Sequence, residues 1–222
     1  MISRSRIGML FKRSVLNPSG KVGLFHSYVS IASGFVQELT LYTEPGQGGD
    51  ALRFKSKEPD LTTYLPHLRN VKSWCAKGLW HGFGSANYTN GRTINEFTMD
   101  GSTYCRNDTL FYTMSLRFAG PSETRKRSIS IYRGLGCCYD GGMEYTFTGS
   151  SATNFGFLAK YIVLTGRSSW TGFENADFTG NSTCFSSSEL IGHTTIYGKE
   201  IRSFVRGCDA KYKSEYVNVD KL

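Results

Sequence analysis

The chain has 222 residues and a formal net charge of +8, a length that accommodates two compact domains of about 85 to 90 residues each. Aromatic residues make up 14 %, with 25 glycines and only 5 prolines, and no apolar run is long enough to cross a bilayer as a helix. No long stretch shows an apolar stripe at helical spacing; short aromatic and β-branched runs between Gly, Asn, Asp and Ser turns indicate antiparallel β-structure instead.

In chain order, residues 1–35 form a basic arm. The first 37 residues hold Arg4, Arg6, Lys12, Arg13 and Lys21 and no acid. Such an arm offers a non-specific contact for self-association or an anionic surface. The two long segments that follow, 38–119 and 128–209, are close to neutral, so no specific nucleic-acid partner is expected. Ile7–Phe11 is too short for a secretory hydrophobic region.

A first hairpin is expected where Leu39-Thr40-Leu41-Tyr42 leads to Gly49: six residues separate the aromatic from the glycine. The strand ends at the ring, the chain folds over, and glycine takes the positive φ that a Cβ makes costly. The same spacing recurs between Phe173 and Gly180, after Trp170-Thr171-Gly172. Two copies depart from it. After Phe83 the position falls on Asn90, with Gly91 one step later; after Tyr132 the glycines come late, at Gly141-Gly142, behind Cys137-Cys138. That third hairpin is expected to be longer or pinned by a disulfide. Ser115-Leu116-Arg117 and Glu200–Arg206 read as closing strands, Arg125-Lys126-Arg127 as a solvated linker within 120–127, and 210–222 as a tail.

These repeats resemble the βγ-crystallin family, whose domains hold two Greek-key motifs with Tyr/Phe-x6-Gly hairpins. Trp80–Phe83 and Trp170–Phe173 look like the openings of second motifs, and Ser115-Leu116-Arg117 like a closing strand. The resemblance implies an all-β chain of two Greek-key β-sandwich domains, 36–119 and 128–209. Calcium-binding members carry a stretch like Asn/Asp-Asn/Asp-x-x-Ser/Thr-Ser. Here Arg69-Asn70-Val71-Lys72-Ser73-Trp74 places two cations in it, which disfavours an oxygen-rich site. No metal or other cofactor is therefore expected, with Asn70 and Ser73 as the residual calcium candidates.

Six cysteines divide as two and four between the halves. Without a Cys-x-x-Cys pair, a zinc or thioredoxin-type reading is weak. The expectation is Cys75–Cys105 in the first domain, with Cys137 and Cys138, whose side chains would point to opposite faces if they lie on a strand, pairing with Cys184 and Cys208 in either order; the alternative is that some are free buried thiols. Sequons at Asn87, Asn107 and Asn181 fall in expected turns, and with the cysteines they favour an extracellular location, although no signal is evident. His26, His67, His81 and His193 lack ligand spacing, and no nucleophile elbow, zincin motif or Walker loop occurs, so no catalytic residue is assigned. The sequence reads as a non-catalytic, disulfide-stabilised extracellular structural, matrix or defence-related protein. The alternative is a secreted binding module for glycans or anionic membranes, working within a membrane-active assembly as some relatives of the resembled family do.

Overall fold

The computed structural model describes residues 34–110, 112–135, 138–209, 211 and 215–220. The basic arm up to residue 33 and Cys137 lie outside them. Strands in the first half are Glu38–Glu44 (β1), Gly48–Phe54 (β2), Ser73–Lys77 (β3), Leu79–Ser85 (β4), Thr89–Phe97 (β5), Tyr104–Arg106 (β6) and Ser115–Phe118 (β7). The second half has Ser128–Tyr132 (β8), Glu144–Phe147 (β9), Ser151–Ala152 (β10), Tyr161–Thr165 (β11), Ser169–Phe173 (β12), Ser182–Ser186 (β13), Ile191–Thr195 (β14), Ser203–Arg206 (β15) and Glu215–Asn218 (β16). One short helix, Leu65–Leu68, lies between β2 and β3. Among the described residues no helix is long and apolar enough to cross a membrane.

The strand orders are those of paired Greek keys. Sheets β2-β1-β3-β6 and β9-β8-β11-β14 share one plan: a hairpin, a returning strand, and a strand lent by the other motif. The complementary sheets are β5-β4-β7, extended at Glu58 by its bridge to Leu116, and β13-β12-β15-β10. Each half is thus a sandwich in which every motif exchanges its third strand.

Alternation along the strands explains how these sandwiches stack. In β8, Ile129 and Ile131 enter the second core, while Ser128, Ser130 and Tyr132, equally buried, face the other way. In β11, Ile162 and Leu164 join the same core, opposite Tyr161, Val163 and Thr165. In β7, Leu116 and Phe118 enter the first core, opposite Ser115 and Arg117. Strands buried on both faces while keeping period 2 lie between two layers. The outward face of β5-β4-β7 meets that of β9-β8-β11-β14. Residues 33–222 consequently form one compact unit with two apolar clusters, 39–118 and 129–219.

The segment 120–127, expected as a solvated linker, is pinned along its backbone. Gln37 donates to the carbonyls of Ala119 and Pro121 (2.7 and 2.9 Å), its own N–H bonds Ser122 O, and Phe35 and Thr124 exchange bonds. The side chains of Arg125, Lys126 and Arg127 are exposed, as is Ser122. The tail also folds: β16 adds to β13 in parallel, and Val219 is buried in the second core.

Candidate functional site

The third hairpin builds the most chemically loaded region of the molecule. Between β8 and β9 the chain needs eleven residues, 133–143, and its tip docks on the first half. Gly142 N–H donates to Tyr88 O (2.8 Å). Arg117, 1 % exposed, donates from Nη1 to Gly142 O (2.7 Å) and from Nη2 to Asp140 O. Its guanidinium lies over the rings of Tyr88, Tyr132 and Phe83, at 4.4, 4.9 and 5.4 Å, an arrangement that stabilises a cation removed from water. The Asp140 side chain is fully buried. Its Oδ1 accepts from Arg92 Nη2 (2.6 Å), and its Oδ2 meets His81 Nδ1 at 2.7 Å without the alignment of a hydrogen bond.

A second ion pair lies along the same seam: Lys57 Nζ to Glu144 Oε2, 2.6 Å. Glu144 Oε1 also accepts from Gly120 N–H, which is shared with the Tyr132 hydroxyl. At the far edge His193 packs edge-on to Phe97, 4.8 Å between centroids, and beside Tyr161.

Electrostatics follow from burial. Burial lowers the His81 pKa, with Arg92 and Arg117 acting the same way and outweighing Asp140, so its imidazole is neutral. His193 is likewise lowered by burial, to about 4. Burial opposes ionisation of Asp140, but the His81 nitrogen and the Arg92 guanidinium outweigh it and hold the carboxyl well below the usual range. Because His81 is neutral, Arg92 is the charge that matters there. Burial also pulls Lys57 down despite Glu144, and pushes the phenols up: Tyr88 to about 12, Tyr132 and Tyr161 further. Chemically this is a closed network. His81 and Asp140 are 1 % and 0 % exposed, so what it does is fasten the 133–143 loop to the first half.

The sequence singled out other residues, and their places are definite. Ser73 does not stand open for calcium: its hydroxyl donates to Glu44 O (2.6 Å) and accepts from Gln47 N–H (3.0 Å). Asn70 donates to Pro66 O, and Lys72 reaches the Glu44 carboxylate at 3.3 Å. Among the described residues no group of three or more His, Cys, Asp or Glu is placed to hold a metal. Ser115 repeats the role of Ser73, bonding Ser85 O and Tyr88 N–H, and Ser203 bonds Asn175 O. Serine at the head of the closing strand thus pins three of the four hairpins.

At the hairpins themselves, Gly49 and Gly180 have φ of +74° and +87°. A Cβ on Gly49 would sit 2.4 Å from Thr43 Oγ1. In the Phe83 hairpin the equivalent residue is Asn90, φ +60°, rather than Gly91, although Gly91 is also left-handed. The folded-over rings are Tyr88 on Phe83 and Phe178 on Phe173.

The cysteine expectation needs correction in the second half. Cys75 bonds Cys105 across β3 and β6, but Cys184 bonds Cys208. Neither takes Cys137 or Cys138 as partner. Cys184 and Cys208 are brought together because β12 lies between β13 and β15 and the chain crosses back over it at Gly207, which bridges to Trp170. Asn87, Asn107 and Asn181 are all exposed; Asn107 Oδ1 accepts from Gly46 N–H, and Asn181 Nδ2 donates to Glu174.

Arg92, Arg117, Asp140 and His81 were not assigned a role from sequence. The available signals were an arginine in a short strand of otherwise core-type residues and an acid inside the overlong third hairpin. One cleft lies away from this seam and another at its far edge. The first, of about 560 Å³, is lined by Glu174, Lys199, Glu200 and Glu215 among others; its acids are already engaged with Asn181, Lys199 and Arg202. The other, about 480 Å³, lies between Phe97–Tyr104 and Glu189.

No protein-family model matches the chain, and no curated protein matches it. Among solved structures it is similar to Geodin, a beta-gamma crystallin from Geodia cydonium. Identity is 20 %, with 78 % of this chain and 99 % of that chain covered, at a TM-score of 0.54. It was also matched to the solution structure of Protein S complexed with calcium, at 11 % identity, covering 77 % and 99 % of the two chains, with a TM-score of 0.26. The chain has the βγ-crystallin fold, all-β with two Greek-key sandwiches, as the hairpin spacing led us to expect.

Proposed function

We propose that this protein is a non-catalytic structural scaffold of an oxidising, extracellular environment. The observation that carries this reading is the disposition of its reactive groups. Its most perturbed titratable side chains are sealed between two sheets, where they join the halves, and two disulfides tie strands of each half. Disulfides persist where thiols are not kept reduced. A buried, internally paired acid–base network cannot reach a substrate; it can only rigidify. A matrix or defence-related role for such a scaffold remains within this reading.

The experiment is thiol counting on protein isolated from its native source, denatured without reductant and alkylated. At least four cysteines should resist alkylation, and reductant should lower the denaturation midpoint. Alkylation of all six would remove the extracellular reading altogether.

A further inference from the structure

The linker cations lie on a built surface. The side chains of Arg125, Lys126 and Arg127 are exposed, but their backbone is fastened. Lys126 O accepts from Thr165 Oγ1 (2.5 Å), and Arg127 O from Arg206 Nη2 (3.5 Å). The Gly166 backbone presses on the same peptides: a Cβ there would lie 2.6 Å from Arg125 O and 2.7 Å from Arg127 N. The next residue, Arg167, is exposed on a left-handed turn, φ +54°. Arg206 stacks on Trp170 and donates to Thr148 O. Exposed Arg125, Lys126, Arg127 and Arg167 are therefore carried by two segments whose backbones touch, with the half-buried Arg206 guanidinium bonded to Arg127 O beside them.

Little neutralises them. Glu123 reaches Arg125 only at 3.9 Å, and Lys126, Arg127, Arg167 and Arg206 have no ion pair among the described residues. Gly34 lies against Arg125, where a Cβ would be 2.4 Å from the Arg125 Cβ.

We propose that this face binds a linear sulfated polysaccharide. Arginine forks match tetrahedral oxyanions in bidentate fashion, and several unpaired cations at fixed spacing favour a polymer with regularly repeated charge over a single small anion. Single-stranded nucleic acid would need exposed rings for base stacking, whereas Trp170, the ring within this face, is 0 % exposed. The extracellular reading proposed above, on which this inference rests, brings sulfated glycans within its reach.

The test uses the full chain and heparin as probe, by surface plasmon resonance at about 150 mM salt. Binding is expected, weakening as salt rises. The triple variant K126Q/R127Q/R167Q should bind at least roughly tenfold more weakly with an unchanged denaturation midpoint, since these side chains are exposed. Neutralising Arg4, Arg6, Lys12, Arg13 and Lys21 to Gln in the full chain is the control, and heparin binding should persist in it. The proposal is overturned if heparin does not bind, if the triple variant binds as well as the parent, or if the arm substitutions alone remove all binding. It is equally overturned if phosphatidylserine vesicles or duplex DNA, at matched charge concentration, bind more tightly than heparin.

Discussion

Arg117 is the residue on which the seam depends. Its guanidinium serves two carbonyls of the third hairpin and lies over three rings. Replacing it by alanine leaves Asp140 O and Gly142 O without their donor and the rings around a void. The expected loss is about 3–5 kcal/mol by urea denaturation. Ser203→Ala removes one bond to Asn175 O and should cost only about 1 kcal/mol; equal costs would mean that the seam contributes little. His193 sets an acid limit. Its folded pKa, about 4, lies below the ordinary histidine value of 6.5, so the unfolded chain takes up the proton first. Stability is therefore complete above pH 6.5 and declines as pH falls towards 4, by up to about 3 kcal/mol. His81 acts in the same direction. Asp140, held low, adds a further loss below its ordinary range, as acid protonates it. In His193→Phe the slope between pH 6.5 and 4 should flatten, as seen in denaturation midpoints across that range; an unchanged slope would assign the acid sensitivity elsewhere.

Among the elements, the hairpins were legible in the sequence because their chemistry is local. An aromatic, a fixed spacer and a residue tolerant of positive φ lie within eight positions, and even the Asn90 variant follows from asparagine's tolerance of that region. The third hairpin was legible only as an exception. Its extra length and late glycines were visible, but what Asp140 meets is set by Arg92, 48 residues away, and no local pattern encodes that. The C-terminal strand had a signal that went unread: Val217 and Val219 alternate with Tyr216 and Asn218 at period 2, and the two valines face the second core. Asp220 then closes the strand with bonds to Ser187 and Ser188. The disulfides also act at this scale. Cys75–Cys105 and Cys184–Cys208 close loops of 30 and 24 residues, and in the chain-entropy account each stabilises by about 3–4 kcal/mol. Cys184→Ala/Cys208→Ala should show a loss of that order in urea denaturation, whereas a loss below about 1 kcal/mol would mean that the strands hold the second half unaided.

In the whole molecule, two sandwiches with separate apolar cores are joined through faces that mix polar and apolar groups: His81, Phe83, Ser115 and Arg117 on one side, Ser128, Ser130, Tyr132, Tyr161, Val163 and Thr165 on the other. Hydrophobic burial drives each half to fold by itself, while the seam adds hydrogen bonds and ion pairs whose net value depends on every member being satisfied. Such a joint is strong when complete and fails when one partner is removed. The intact protein should therefore unfold in one calorimetric transition near neutral pH, because opening the seam would expose paired charges while both cores are still formed. Asp140→Ala leaves Arg92 without its carboxylate partner and removes the contact to His81. That variant should unfold in two transitions, one for each core, with the disulfides of both halves intact. A single transition at the parent midpoint would show that the two sandwiches are coupled by the pinned segment 119–127 rather than by the third hairpin. The segment's bonds to Gln37 and Phe35 would then be the next to remove.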